Sequence, residues 1–396
     1  MQRVIGLDVH KETATFATLA QDGTCLETGT FASNVEAIER FAAALSSEDT
    51  VVLEATTNAW AFHDLIAAHA GEVAIANPLK VHLIAQAHLK TDTVDATTLA
   101  QLKRTNFLPE VWIPDAQTRR WRSLLSHREL LTKTRTGWKN RVHSVLLRSL
   151  KKEPACTDLF GAAGRRWLTT VALPPAEQMQ IASALRMHDA VTAEQATLEQ
   201  SLAQEAQQHP DMSKLLAVPG LNLYTAMTLL AAIGDVRRFP DAKHLVGYLG
   251  LCPRVHQSGS TCYQGRITKA GPSSARWMAV QADNQFVHSS ASPIRGWYQR
   301  LKARKGHNRA IIAVARKLVA LMWHLLSKPE GYRYVEPARH RYKLNRLRNR
   351  ATGKTGTGGP PKGTPPSPQA RAATRARWEA YRAAKKAAAA TPTSEC

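Results

Sequence analysis

Charge is segregated along this chain. Residues 1–110 carry 7 basic and 14 acidic side chains, whereas the whole 396 residues hold 53 Lys and Arg against 31 Asp and Glu, a formal net charge of +22. All of the net positive charge therefore lies beyond residue 110. Single cores rarely grow past about 250 residues, so a chain of this length holds two to three domains. The segregation says that those domains do different things. A strongly basic region suits a polyanionic partner, most often nucleic acid; the acidic first domain does something other than coat phosphates. With 44% hydrophobic and 21% charged residues, a wholly disordered chain is excluded.

Cys25, Cys156, Cys252, Cys262 and Cys396 are scattered, with no C-x2-C spacing, which argues against a disulfide framework or a zinc site. No apolar stretch is expected to approach the roughly 20 residues that span a bilayer, and the first residues lack the pattern of a signal peptide. Leu318 to Leu326 reads as core helix. A reduced, cytoplasmic protein without a membrane partner is expected.

Val4 to Val9 is an apolar run broken by Asp8, and β-type segments Thr13 to Leu19 and Cys25 to Phe31 follow around a Gln21-Asp22-Gly23 turn. These predict a three-strand meander. Asn34 caps a helix to about Leu45; Thr50 to Leu53 is a buried strand ending at Glu54, and a helix near 59–70, a strand at 73–76 and helices beyond Pro78 complete a β-β-β-α-β-α-β-α order. That is an α/β domain, a mixed sheet flanked by helices. From Asp115 to Leu150 the pattern is helical, and between Arg119 and Lys152 there are 11 Lys or Arg and one acid, Glu129. A second long helix, about Glu177 to Gln207, pairs with the first as an antiparallel hairpin or dimerises as a coiled coil. Near Leu215 a mainly helical region begins, with Val218-Pro219-Gly220-Leu221 and Thr225 to Ile233 spaced as a helix-hairpin-helix that presents backbone N–H groups to phosphate. The expected domains are 1–110, 111–212, 213–330 and a basic, disordered tail at 331–396.

Asp8 and Glu54 close two strands, while Asp92 and Asp95 stand three apart at the start of a helix from Thr91 to Lys103, hence on one face. Strand-end carboxylates with a helical pair are what a site needs to hold two Mg²⁺ ions about 4 Å apart. The plain alternative is that acids favour strand ends and first helical turns. Glu54 is the sharpest case, because a carboxylate closing Val51-Val52-Leu53 costs stability unless it is paired or metal-bound. In the basic helix, Arg119, Arg120, Arg122, Arg128, Lys133, Arg135, Lys139 and Arg141 occupy more than one face, as expected for contacts to nucleic-acid phosphates rather than a simple solvated stripe; Trp121 and Trp138 are spaced for core packing.

Gly6-Leu7-Asp8-Val9-His10-Lys11, Leu53-Glu54-Ala55-Thr56 and Lys90-Thr91-Asp92-Thr93-Val94-Asp95-Ala96 resemble the N-terminal DEDD domain of the IS110-type transposases, an RNase H-like (RuvC-like) fold. Val218-Pro219-Gly220, Gly247-Tyr248-Leu249-Gly250, Ser258-Gly259 and Gly265-Arg266-Ile267-Thr268-Lys269-Ala270-Gly271 resemble the C-terminal transposase domain of the same family. The resemblance covers about residues 1–330. It implies that Asp8, Glu54, Asp92 and Asp95 are the four metal-binding acids and Ser258 the serine that attacks DNA, with Ser260 a near rival. Arg266 and Lys269, close to Ser258, are candidates to position the scissile phosphate. Because acids and serine lie in different domains, a composite site is expected. Two departures stand out: Gly271-Pro272 replaces the family's Gly-Asn, with Arg276 kept, and the tail after 345 has no counterpart.

The resemblance implies an insertion-sequence transposase or DNA recombinase, Mg²⁺- or Mn²⁺-dependent, that cuts and rejoins strands through a serine–DNA phosphodiester. It further implies a structured guide RNA from the element and a homo-oligomer, dimer or tetramer. The rival expectations are a metal-only, Holliday-junction-resolvase-like endonuclease, a site-specific DNA invertase, and a non-catalytic nucleic-acid-binding protein.

Overall fold

The structure, a computed structural model, describes residues 3–84, 91–156, 158–288 and 293–354. It divides into two units, Met1–Asp115 and Ala116–Cys396. Lys90 and the tail beyond 354 lie outside the described residues.

The first unit runs β1 (Val4–Val9), β2 (Thr13–Leu19), β3 (Cys25–Ala32), α1 (Val35–Ala43), β4 (Thr50–Glu54), α2 (Ala59–Ile66), β5 (Glu72–Ala76), α3 (Pro78–Ile84) and α4 (Asp92–Arg104). Its sheet has the order β3-β2-β1-β4-β5, antiparallel within the meander and parallel from β1 through β4 to β5. This is the mixed α/β sheet expected of the first domain. The period-two alternation of strand side chains sorts the faces. Ile5, Leu7, Val9, Val51 and Leu53 bury against Ile38, Phe62 and Ile66 of α1 and α2. Val4, Val52, Ala74 and Ala76 bury against Leu99 and Ala100 of α4. Asn34 accepts from the Ala37 N–H and Thr91 from the Val94 N–H, satisfying orphan donors at the starts of α1 and α4. The unit extends past the expected boundary at 110, because Val111 donates its N–H to the Ile75 carbonyl at 2.7 Å and Val111 and Ile113 join the core.

The second unit contains α5 (Ala116–Arg148), α6 (Ala162–Thr170), α7 (Pro175–Gln208), α8 (Met212–Leu216), α9 (Leu223–Ile233), α10 (Ala242–Tyr248), the hairpin β6 (Pro253–Ser258) and β7 (Thr261–Ile267), α11 (Ser273–Phe286), α12 (Ile294–Lys305), α13 (His307–Ser327) and α14 (Pro337–Ala351). α5 and α7 form an antiparallel hairpin within the chain. At one end the Trp121 indole donates to Glu205 at 2.6 Å and Arg128 to Glu199 at 2.8 Å; at the other, Val142 and Leu146 pack with Ile181. Trp121 and Leu125 share one core with α8 to α14, so the basic helix is built into the C-terminal unit and is not a free-standing linker. α13 is long and apolar enough to cross a membrane by length and composition; its Ala310, Val314, Leu318 and Met322 face that same core.

Two expectations are corrected here. The segment 331–354 is ordered: α14 packs on α7 and α8, burying Leu347 and Ala351, pairing Arg350 with Glu199 at 3.3 Å, and donating the Lys343 ammonium to the carbonyls of Leu216 and Val218. Burial pushes the Lys343 amine down to about 8. The turn between α8 and α9 is also not a phosphate-facing surface. Val218, Pro219 and Leu221 are buried, and a β-carbon at Gly220 would overlap the Ala282 carbonyl of α11, so the turn is tucked into the core.

Candidate functional site

Three features of the first unit converge on one spot. Leu7 of β1 pairs in parallel with Leu53 of β4, so Asp8 and Glu54 leave neighbouring strands one step later, at the same level. Both belong to the strand face that carries Val4 and Val52, the face covered by α4. Gly6 has no side chain, and the Ala96 carbonyl of α4 lies where its β-carbon would be. This close approach sets the first turn of α4, with Asp92 and Asp95, over the end of β1.

The result is a tight polar cluster. His10 Nε2 lies 3.2 Å from Asp8 Oδ2 and 3.4 Å from Asp92 Oδ1. One ligand atom from each of Asp8, His10 and Asp92 lies within 4.8 Å of the others. His10 is held in turn through its carbonyl, which accepts from Ser33 Oγ at 3.0 Å and Asn58 Nδ2 at 3.3 Å. Burial raises the Asp8 carboxyl above the ordinary carboxylate range; His10 opposes this, and the charges of Asp95 and Asp92 add to it. A desolvated carboxylate amid like charges, with one imidazole nitrogen beside it, fits a divalent cation, whose charge relieves that repulsion. Among the described residues, the group placed to hold a divalent ion is Asp8, His10 and Asp92; Asp95 contributes charge beside Asp8, and Glu54 lies at the same strand level. Local pattern does not single out His10, because its partner Asp92 stands 82 positions away in the chain.

In the second unit Ser258 closes β6 opposite Thr261, leaving Gly259 and Ser260 as a two-residue turn. Gly259 has φ +55 with open space around its missing side chain, so the backbone angle, not crowding, calls for glycine. Ser258 and Ser260 are both exposed. The base of the hairpin is interlocked. A β-carbon on Gly250 (φ +69) would overlap the Ala270 carbonyl, and one on Gly271 (φ +76) the Tyr248 carbonyl. Arg276 Nη1 donates to the carbonyls of Leu249 and Ala270, each at 3.2 Å. This accounts for the glycine pattern and for Arg276. Pro272, where the family has Asn, starts α11 without a side-chain cap bond. Arg266 and Lys269 are exposed on the hairpin's return strand and its exit.

The basic residues divide by what they touch. Arg122 is turned inward: its guanidinium donates to Ala231 O at 2.7 Å and Ala232 O at 3.2 Å, closing the C-terminal end of α9. The expectation that it contacts phosphate is corrected on that ground. Arg120 bridges Glu205 at 3.0 Å, Lys133 pairs with Glu129 at 2.7 Å, Arg141 donates to Gln180 at 3.0 Å and Lys139 lies over the Phe160 ring. Arg119 and Arg135 are half-buried. Lys133, Asn140, Tyr224, Lys269 and Trp277 help line a cavity of about 1380 Å³ between α5, α9 and α11.

Residues 5–150 match the model described as "Transposase" for the DEDD domain of IS110 type, and residues 212–299 match that of the transposase IS116/IS110/IS902 family. Two separate stretches of the chain are thus similar to the two domains of IS110-type transposases. The first match takes in Asp8, Glu54, Asp92 and Asp95, the second Ser258. Among relatives, the chain is 30% identical over 138 residues to the transposase for insertion sequence element IS1111A of Coxiella burnetii, covering 34% of this chain and 38% of that protein. It is 29% identical over 300 residues to the insertion element IS110 uncharacterized 43.6 kDa protein of Streptomyces coelicolor, covering 63% and 73%. It is 27% identical over 289 residues to the pilin gene-inverting protein of Moraxella bovis, covering 70% and 79%. The chain thus spans less than half the length of the IS1111A protein.

Proposed function

We propose that this IS110-family chain is a DNA recombinase of an insertion sequence. The observation that carries the reading is the cluster of Asp8, His10 and Asp92, whose ligand atoms lie within 4.8 Å of one another at the end of β1, with Asp95 in the same first turn of α4 and Glu54 at the same strand level. These acids would hold Mg²⁺ or Mn²⁺, which when bound stabilises the charge that develops on a phosphoryl group in transfer. The chain's own residues do the rest. Ser258 Oγ attacks a DNA phosphodiester, forming an Oγ–P bond and releasing one strand end as a hydroxyl. The energy of the broken bond is kept in the serine ester, so rejoining needs no nucleotide cofactor. Arg266 and Lys269, toward the base of the hairpin that carries Ser258 and past its end, hold the DNA backbone leading to the phosphate. Arg119, Lys133, Arg135 and Lys139 supply sequence-independent contacts to nucleic-acid backbone, DNA or a structured guide RNA encoded by the element. The working species is a dimer or tetramer.

A second reading, site-specific DNA inversion, is favoured by the similarity to the pilin gene-inverting protein, which extends over 79% of that protein. Both outcomes use the same strand chemistry on differently arranged sites.

The test is to measure Mn²⁺ binding and recombination for Asp8→Asn, Glu54→Gln, Asp92→Asn and Asp95→Asn. The reading expects lost recombination and weakened metal binding in folded protein. Wild-type recombination by Asp8→Asn combined with Glu54→Gln would overturn the metal site.

A further inference from the structure

A serine hydroxyl is a poor nucleophile until something takes its proton, and the β6–β7 hairpin supplies that group from its own residues. In an antiparallel pair, residues directly opposite share a face, and residues two apart along a strand share it too. Ser258 lies opposite Thr261 and His256 opposite Tyr263, so Ser258, His256, Thr261 and Tyr263 all stand on one face. Gln257 and Cys262, opposite one another, stand on the other. We infer that His256 is the general base that activates Ser258.

Elimination within the hairpin supports this. Between Pro253 and Ile267 there is no Asp or Glu; the titratable side chains are Arg254, His256, Cys262, Tyr263 and Arg266. Arginine stays protonated at every working pH, and a phenol ordinarily titrates near about 10. Cys262 is on the wrong face. Only an imidazole titrates in the neutral range where a general base is most effective. Two strand residues span about 6.6 Å, a separation that an imidazole side chain can bridge toward a hydroxyl on the same face by rotation about its own side-chain bonds. The face is also accessible, since His256, Ser258, Thr261 and Tyr263 are all exposed. The charged and titratable groups around His256 are Tyr263 opposite it on β7, with Arg254 and Arg266 toward the hairpin base.

The step balances. The Ser258 proton passes to a neutral imidazole nitrogen of His256 as Oγ bonds to phosphorus. The P–O bond to the departing strand breaks, its oxygen keeps the electron pair and takes a proton from water, and the imidazolium returns its proton to solvent. The inference rests on the serine reading, and the experiment separates the two. Full-length protein is incubated with Mg²⁺, a transcript of the sequences flanking its gene, and an end-labelled duplex spanning one junction of the element. The rate of SDS-stable adduct formation is followed from pH 5.5 to 9. Wild type should show a rate that rises out of the acid range. His256→Ala should be slower by about 10²-fold or more and lose that rise. Added imidazole should restore part of its rate, which a merely structural role would not allow, and Gln257→Ala should keep the wild-type rate. An adduct forming in His256→Ala at the wild-type rate and pH profile, or a slowed rate that imidazole does not restore, overturns the inference while leaving the serine reading intact. No adduct from wild type overturns the serine reading and this inference with it.

Discussion

Gly6 on β1 lies directly under the carbonyl oxygen of Ala96 on α4, so close that a β-carbon at position 6 would overlap that oxygen. The helix bearing Asp92 and Asp95 therefore rests on the strand bearing Asp8 with no side chain between them. The small residue lets the first turn of α4 approach the end of β1, where Asp92 and Asp8 meet His10.

Replacing Gly6 with Val forces α4 away from the sheet. Overpacking of this kind costs about 1–3 kcal/mol, and because the helix must shift, metal affinity falls along with stability. Chemical denaturation and Mn²⁺ titration of Gly6→Val check both. A variant that is destabilised yet binds Mn²⁺ like wild type would show that the acids do not depend on this contact.

Asp283 on α11 is wholly buried, and neither carboxylate oxygen has a hydrogen-bond partner among the described residues. Burial holds its pKa well above the ordinary carboxylate range. A raised folded-state pKa stabilises the fold fully below the unfolded value, near about 3.9, and that contribution is lost as pH climbs through the folded value. Asp283→Asn removes this loss. The variant should gain stability relative to wild type as pH rises from 4 toward 8, by more than about 1 kcal/mol at the upper end, read by denaturant unfolding across that range. A pH-independent difference would mean that the carboxylate is ionised and paired in the fold.

Arg122 and the Lys133–Arg135 pair separate structure from binding within one helix. Arg122→Glu loses two hydrogen bonds at the end of α9 and puts a carboxylate against carbonyls, costing about 2–4 kcal/mol. Lys133→Glu with Arg135→Glu should leave stability nearly unchanged. It should flatten the dependence of log affinity on log salt by about 1.5–2 for a nonspecific duplex. Fluorescence anisotropy at several salt concentrations, beside thermal unfolding, distinguishes the two behaviours. An unaltered salt slope in the double reversal would show that this stretch of α5 does not touch nucleic acid.

The strands and most helices were legible because each buried face repeats with the period of its element: Ile5, Leu7 and Val9 alternate along β1, and Val314, Leu318 and Met322 recur along α13. The four acids were legible for a related reason, since each ends an apolar run or opens a helix. What escaped depends on partners distant in the chain. Arg122 reads as one more phosphate contact until the carbonyls of Ala231 and Ala232 appear beside it. α14 has so few apolar residues that its composition reads as a solvated tail; its docking uses Leu347, Ala351 and the amine of Lys343 on backbone carbonyls 125 and 127 positions away. The choice between an intrachain hairpin and a dimeric coil was open because the seam of α7 suits either partner. Glu199 and Glu205 meeting Arg128 and Trp121 settle it within the chain.

The central claim, a covalent serine–DNA intermediate, is tested most directly by recovering the adduct itself. Wild type, Ser258→Ala and Ser260→Ala are incubated with Mg²⁺, the flanking transcript and end-labelled junction DNA, denatured in SDS and digested, and the DNA-linked peptide is identified by mass spectrometry. Label should migrate with wild type and Ser260→Ala, with a linked peptide carrying the nucleotide on Ser258, and Ser258→Ala should bind DNA yet give no adduct. Free nicked ends without an adduct from wild type, or an adduct that persists in Ser258→Ala and vanishes in Ser260→Ala, would contradict it.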